Sequence, residues 1–384
     1  MTQAKRKVAI TGIGLVSSLG EGLEPHLAAL DGDVAPHVDT EGFSPYPIHP
    51  LVELDLSQQI PKRSDQRQME AWQRLGVYAA GLALDSAGLK DDEAAKDVLE
   101  VLVAAGGGER DHEVDAAIAT GIRTVDEKAA YLNEHLMNDL RPTMFLAQLS
   151  NLLAGNISIV HSVTGGSRTF MGEEQAGVDA MRDAVDRIAY GQCDAILVGG
   201  AYNASRRDML LLLEFAGYVH KGAFEPVFSN ARDGMIMGSV GAFVVLEAGD
   251  AANARGANVM AEVAGVASGW ARREPGEVKA TLDALIAELG PYDDETRVIS
   301  AASGVPPWSA EERAAVASAL PDADMTAVGD LVGHGLEAAF PAAVAMAAAL
   351  VGAGKSTDIL VTGAAHWRGE GAARILSPGK GDAT

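Results

Sequence analysis

The run EEQAGVDAMRDAVDRIAYGQCDAILVGGA, residues 173–201, decides the architecture. Its first part spaces Val178, Met181, Val185 and Ile188 by three, four and three. That spacing gives one apolar stripe on a helix over Glu173 to Tyr190, which Gly191 stops. The second part, Asp194-Ala195-Ile196-Leu197-Val198-Gly199-Gly200-Ala201, shows no polar alternation and predicts a fully buried strand ending in glycines. The same order recurs late in the chain. Gly333-His334-Gly335 opens a helix through Leu350, and Asp358 to Ala365 repeats the Asp-led strand. Two copies of one βα unit are expected, each placing a polar residue at the N-terminus of a buried helix.

Upstream, Ile157-Ser158-Ile159-Val160 is a β-branched run that reads as extended, and Gly165-Gly166 breaks it. A second short extended segment reaches Met171. Near the start, Val8 to Gly14 predicts a buried strand running into a glycine turn, and Glu70 to Ala87 a helix closed by Gly88. Asp91 to His135 reads as a charged helical zone. No Pro/Ser-rich linker separates the copies, so halves 1–250 and 256–384 are expected in one compact unit, with the seam at 250–256.

The 384 residues carry 30 Lys+Arg against 53 Asp+Glu, a net charge of −23. With 48% hydrophobic and 22% charged residues the chain is globular, not disordered or fibrous. Its acidity excludes a nucleic-acid partner. A single cysteine, Cys193, excludes a disulfide framework and a Cys-rich zinc site, and the expected compartment is the cytoplasm. No metal or cofactor is expected. After Lys5-Arg6-Lys7, Gly12 and Gly14 interrupt the apolar run, so no export signal is expected. Phe340 to Gly354 is apolar but too short for about 30 Å of hydrocarbon, which argues against a membrane span.

Over almost its full length the chain resembles the β-ketoacyl-acyl carrier protein synthases, condensing enzymes of the thiolase fold. The resemblance rests on Arg6 to Gly14, on Ala154 to Ala201, and on Glu225 to Gly238 with its Arg232-Asp233-Gly234 core. Gly333-His334 followed by Ala338-Ala339 completes it. It implies an α/β fold of five αβαβα layers. It also implies a cysteine at a helix N-terminus that takes the acyl chain as a thioester, two histidines, a lysine and a backbone oxyanion hole. Carried over without gaps, the cysteine position falls on Glu174, the first histidine on Ser303, the lysine on Gly329 and the second histidine on His334. An acyl-carboxylate is an anhydride, a poor store for a fatty chain. The C-terminal oxyanion loop becomes His366-Trp367-Arg368-Gly369, where Trp367 keeps an aromatic at the acyl-pocket gate and Arg368 replaces a glycine. Ser239 replaces an acidic residue. Cys193 lies at the far end of the helix, and Ser162 and Ser167 lack a hydrolase context.

Such a departure is similar to the chain-length factors of aromatic polyketide systems, which carry Gln at the cysteine position and act by pairing with an active ketosynthase. The resemblance therefore implies a catalytically inactive partner, or chain-length-determining subunit, of fatty acid or polyketide elongation. It would form a heterodimer with an active ketosynthase subunit, or a homodimer. Met144 and Phe145 would stop a growing chain, with the strand following Ser167 at the interface. Lys62, Arg63 and Arg67 lie at the positions that dock acyl carrier protein, although an acidic carrier would be repelled by the total charge. Two alternatives stay open: a malonyl-carrier decarboxylase using Glu174 with His334 and Ser303, and an active 3-oxoacyl synthase.

Overall fold

The computed structural model describes residues 5–382. Five strands of the first half are β1 (Val8–Ser17), β2 (Glu100–Ala104), β3 (Ser167–Phe170), β4 (Ala195–Tyr202) and β5 (Val240–Ala248). Five of the second are β6 (Ala261–Gly269), β7 (Arg297–Ser300), β8 (Met325–Ala327), β9 (Asp358–Ala364) and β10 (Glu370–Leu376). Their order is β8-β7-β9-β10-β6-β1-β5-β4-β2-β3, with Gly20–Glu21 added beside β1 to make eleven strands. Each half thus repeats one plan: third, second, fourth, fifth and first strand side by side. In each, the fifth strand is antiparallel to both neighbours and the other pairs are parallel. The halves join where Val8, Ala9 and Ile10 pair with Val263, Glu262 and Ala261.

Helices α1 (Ala71–Ala87), α2 (Glu174–Ala189), α3 (Glu277–Leu289), α4 (Trp308–Ala319) and α5 (Ala339–Gly352) fill the layers. Between the half-sheets, α2 packs on α5, touching β4 and β6, while α5 touches β5, β9 and β10. Outside, α1 covers β1, β4 and β5, whereas α3 lies on β6 and β10 and α4 on β9. The stripe Val178, Met181, Val185 and Ile188 is buried, and residues 339–351 are buried throughout. A helix hidden on every side needs no polar face, which is why 340–351 reads as uniformly apolar. No helix of the described residues is long and apolar enough to cross a membrane.

Three local expectations are corrected. Gly12 and Gly14 do not turn the chain; β1 runs through them to Ser17, with a bulge between Ile10 and Gly12. A Cβ on Gly12 would lie 2.3 Å from the carbonyl oxygen of Ala83, and one on Gly14 1.9 Å from that of Ala79. These glycines let α1 lie directly on the strand. The β-branched run is helical, within Leu152–His161, because Leu153, Ile157 and His161 fall on one buried face. His161 Nε2 bonds the Val77 carbonyl of α1 at 2.8 Å, so tertiary packing overrides local propensity. The charged zone 91–135 contains β2, a buried strand concealed by its charged flanks.

Candidate functional site

Glu174 is the first residue of α2. It follows Gly172 at φ 129° and Glu173 at φ 51°, ψ −134°, a backbone state that side chains rarely adopt. This turn drives the Glu174 carboxylate inward at the positive end of α2, where it is 5% exposed. The second half brings its own helix entrance to the same place. Gly177 allows this: a Cβ there would lie 2.4 Å from the Glu337 carbonyl oxygen and 2.8 Å from Pro341 Cδ.

His334 is fixed through its backbone, donating to Ile236 at 2.8 Å and accepting from Gly238 at 2.9 Å. Gly333 (φ 75°) and Gly238 sit back to back, so the Arg232-Asp233-Gly234 segment leads into Met237–Gly238, which forms a parallel bridge with His334. His334 Nε2 donates to Glu174 Oε1 at 2.9 Å. From the turn between β9 and β10, His366 Nδ1 reaches Oε1 at 2.8 Å and Oε2 at 3.0 Å, and its backbone N–H reaches Oε1 at 3.2 Å. Tyr218 meets the His366 ring edge-on at 5.0 Å and the Trp367 ring at 6.4 Å.

Burial alone would push the Glu174 carboxyl up, but the His366 charge and the His334 and His366 hydrogen bonds outweigh it and hold it well below the carboxylate range. Burial likewise pushes His366 down, while the Glu174 charge and hydrogen bond prevail and raise it. The centre is a buried carboxylate held between two histidine side chains. A carboxylate that is stabilised as the anion and saturated with donors is a weak nucleophile. Beside it, burial pushes the Glu337 carboxyl up to about 7, helped by the charges of Glu174 and Glu173.

Glu174 and His334, the two positions carried over from the resemblance, are therefore brought into contact. Ser303 is fully buried, but its hydroxyl accepts the Val305 N–H at 3.3 Å, and no hydrogen bond joins it to Glu174 among the described residues. At the lysine position, Gly329, a Cβ would lie 2.9 Å from Val227 Cγ2, so a side chain there requires Val227 to move. Trp367 is 54% exposed at the hairpin tip, and Arg368 lies 3.8 Å from Glu173. Met144 is buried and Phe145 72% exposed on one groove of about 510 Å³, with Leu136, Met137 and Pro142. Lys62, Arg63 and Arg67 are exposed around the short helix Arg63–Gln68. Cys193 is half-buried, and burial raises its thiol. No group of three His, Cys, Asp or Glu able to hold a metal occurs among the described residues. Sequence reasoning missed His366 as a partner of Glu174. The signal was present: an acid at the cysteine position and a base at a glycine position of the loop that faces it.

Residues 52–252 match the family described as "Beta-ketoacyl synthase, N-terminal domain". The 3-oxoacyl-[acyl-carrier-protein] synthase 2 of Vibrio cholerae is 30% identical over 277 residues, covering 68% of this chain and 63% of that protein. The chain thus spans less than two thirds of that curated relative. Among solved structures, "The ishigamide ketosynthase/chain length factor" superposes with a TM-score of 0.79 at 22% identity, over 98% of this chain and 100% of that one. A type II polyketide ketosynthase, solved with its acyl-carrier protein and bound to the hexaketide, gives 0.73 at 18% identity, over 97% and 99%. At such identities the structural likeness speaks for the fold.

Proposed function

The chain belongs to the β-ketoacyl synthase family, and on that premise we propose that it is a ketosynthase-like subunit without condensing activity of its own. It pairs with an active, cysteine-bearing ketosynthase in fatty acid or polyketide elongation, in the cytoplasm, and helps set acyl chain length. One observation carries this reading: the side chain at the nucleophile position is a carboxylate whose oxygens are held by His334 and His366. Such a group neither forms a stable acyl-enzyme nor leaves two imidazoles free for an enolate. The halves 1–250 and 256–384 serve as one scaffold. Met144 and Phe145 bound the groove that limits chain growth, Trp367 faces the acyl side, and Lys62, Arg63 and Arg67 offer the carrier protein a local basic contact.

The test is incubation of the purified chain with acyl-carrier and malonyl-carrier. Neither an acyl adduct nor carbon dioxide is expected from the chain alone, and co-expression with a cysteine-bearing ketosynthase should yield a stable heterodimer. A stable acyl adduct on the chain, or exclusive homodimers in the presence of that ketosynthase, refutes the reading. One finding favours a second reading, malonyl-carrier decarboxylation: two imidazoles do converge at residue 174. Carbon dioxide release without condensation, abolished in His334→Ala, would select it.

A further inference from the structure

The turn that carries His366 is tethered from a second side. Arg273, whose side chain is 15% exposed, places Nη1 2.7 Å from Glu370 Oε1 and donates Nη2 to the Ala365 carbonyl at 3.1 Å. Its guanidinium lies over the Trp308 ring at 5.4 Å, and Nη1 also donates to its own Ala271 carbonyl at 3.2 Å. Glu370 is fully buried, and its other oxygen accepts the Ala271 N–H at 2.7 Å. Ala365 and Glu370 are the two feet of the turn, which Ala365 closes by donating to the Gly369 carbonyl at 3.0 Å. Gly369, at φ 102°, lies flat on the first turn of α2, where a Cβ would come within 2.5 Å of Gln175 Oε1.

We infer that Arg273 is a latch that clamps both feet of the His366 turn and keeps it shut over Glu174. A planar fork suits this role, since one guanidinium reaches a carbonyl and a carboxylate together while stacking on an indole. A lysine offers one nitrogen in place of the fork and no planar face to stack on the indole. The consequence is positional: with the latch closed, His366 stays on Glu174 and this half of the proposed pair presents a wall, not a second acyl pocket. The inference deepens the reading above by naming what shuts the Glu174 site.

The experiment is hydrogen exchange resolved to the turn, together with carbethoxylation of His366 by diethylpyrocarbonate. The variant combines Arg273→Met with Glu370→Gln, which keeps the packing on Trp308 and leaves no buried charge unpaired. Amides 365–369 are expected to exchange at least about tenfold faster than in the parent, with β9 and β10 keeping their rates. His366 should become reactive. Parent-like exchange and an unreactive His366, or acceleration spread evenly through β9 and β10, overturns the latch. Should the double variant not fold, Arg273→Lys carries the same expectation and the same refutation. Acylation of the parent chain would sink the proposed function while leaving the latch standing, so the two failures are distinguishable.

Discussion

Replacing Glu174 by glutamine keeps the side chain's shape and removes the charge that His366 faces. The carboxyl is depressed in the folded state, so its stabilising effect is present above the ordinary carboxylate pKa and is lost as pH falls through the folded value. His366 is raised, so its effect is full below the ordinary histidine pKa and is lost as pH rises through the folded one. Between those limits Glu174→Gln should cost about 3 kcal/mol, the scale for breaking a buried pair. Urea unfolding near pH 6 checks this, and an unchanged midpoint there would exclude a stabilising pair. Glu337 acts with the slope opposite to that of Glu174. Lifted from 4.5 to about 7, it penalises the folded state increasingly as pH rises through that interval, by about 3 kcal/mol in full. Glu337→Gln should therefore gain stability relative to the parent at pH 8 but not at pH 4, in the same assay. Of these residues, Glu174 and His334 were named from the sequence because each falls on a local motif position that the resemblance carries over. The pairing of Glu174 with His366 was not, because 192 residues separate them and only the fold closes that distance.

At the scale of elements, the site exists because two helix entrances approach closely, and Gly177 sets their separation. Gly177→Ala must push Glu337 and Pro341 away from α2, at a cost of about 1–3 kcal/mol for overpacking. It should also weaken the hydrogen bond between Glu174 and His334. The readout is a lower melting temperature, together with a movement of the His334 ring resonances toward those of a free imidazole. Loss of stability without that movement would place the strain elsewhere. The helix of residues 174–189 was legible down to its ends, since its stripe and its stopping glycine are local features. Leu152–His161 and β2 were not. The first has β-branched residues on a helix whose face is chosen by α1, and the second is a short buried strand between charged helices.

For the whole molecule, the repeated strand plan leaves one edge at β3, at the end of the first half-sheet. Val101 and Ala105 of the neighbouring segment donate to the carbonyls of Gly166 and Phe170. In a parallel ladder the alternate residues Ser167 and Thr169 then turn their N–H groups to the open side. Open edges invite pairing with another chain, and this one is not blunted by proline or lysine. Large apolar side chains are exposed as well: Met171 just beyond the strand at 68%, Phe145 at 72%, Met137 at 74% and Phe215 at 82%. The duplication was readable in sequence because both Asp-led strands and both helix entrances are local, but an unsatisfied edge emerges only once the strand order is known. A net charge of −23 sets self-association against like-charge repulsion, so under the proposed function a less acidic ketosynthase is the expected occupant. Thr169→Pro removes an outward N–H while sparing the bonds to β2. It should leave the circular dichroism and melting of the isolated chain close to the parent's, and reduce its co-purification with a cysteine-bearing ketosynthase by at least about tenfold. A variant that still pairs at parental yield would show that partnering does not run through this edge.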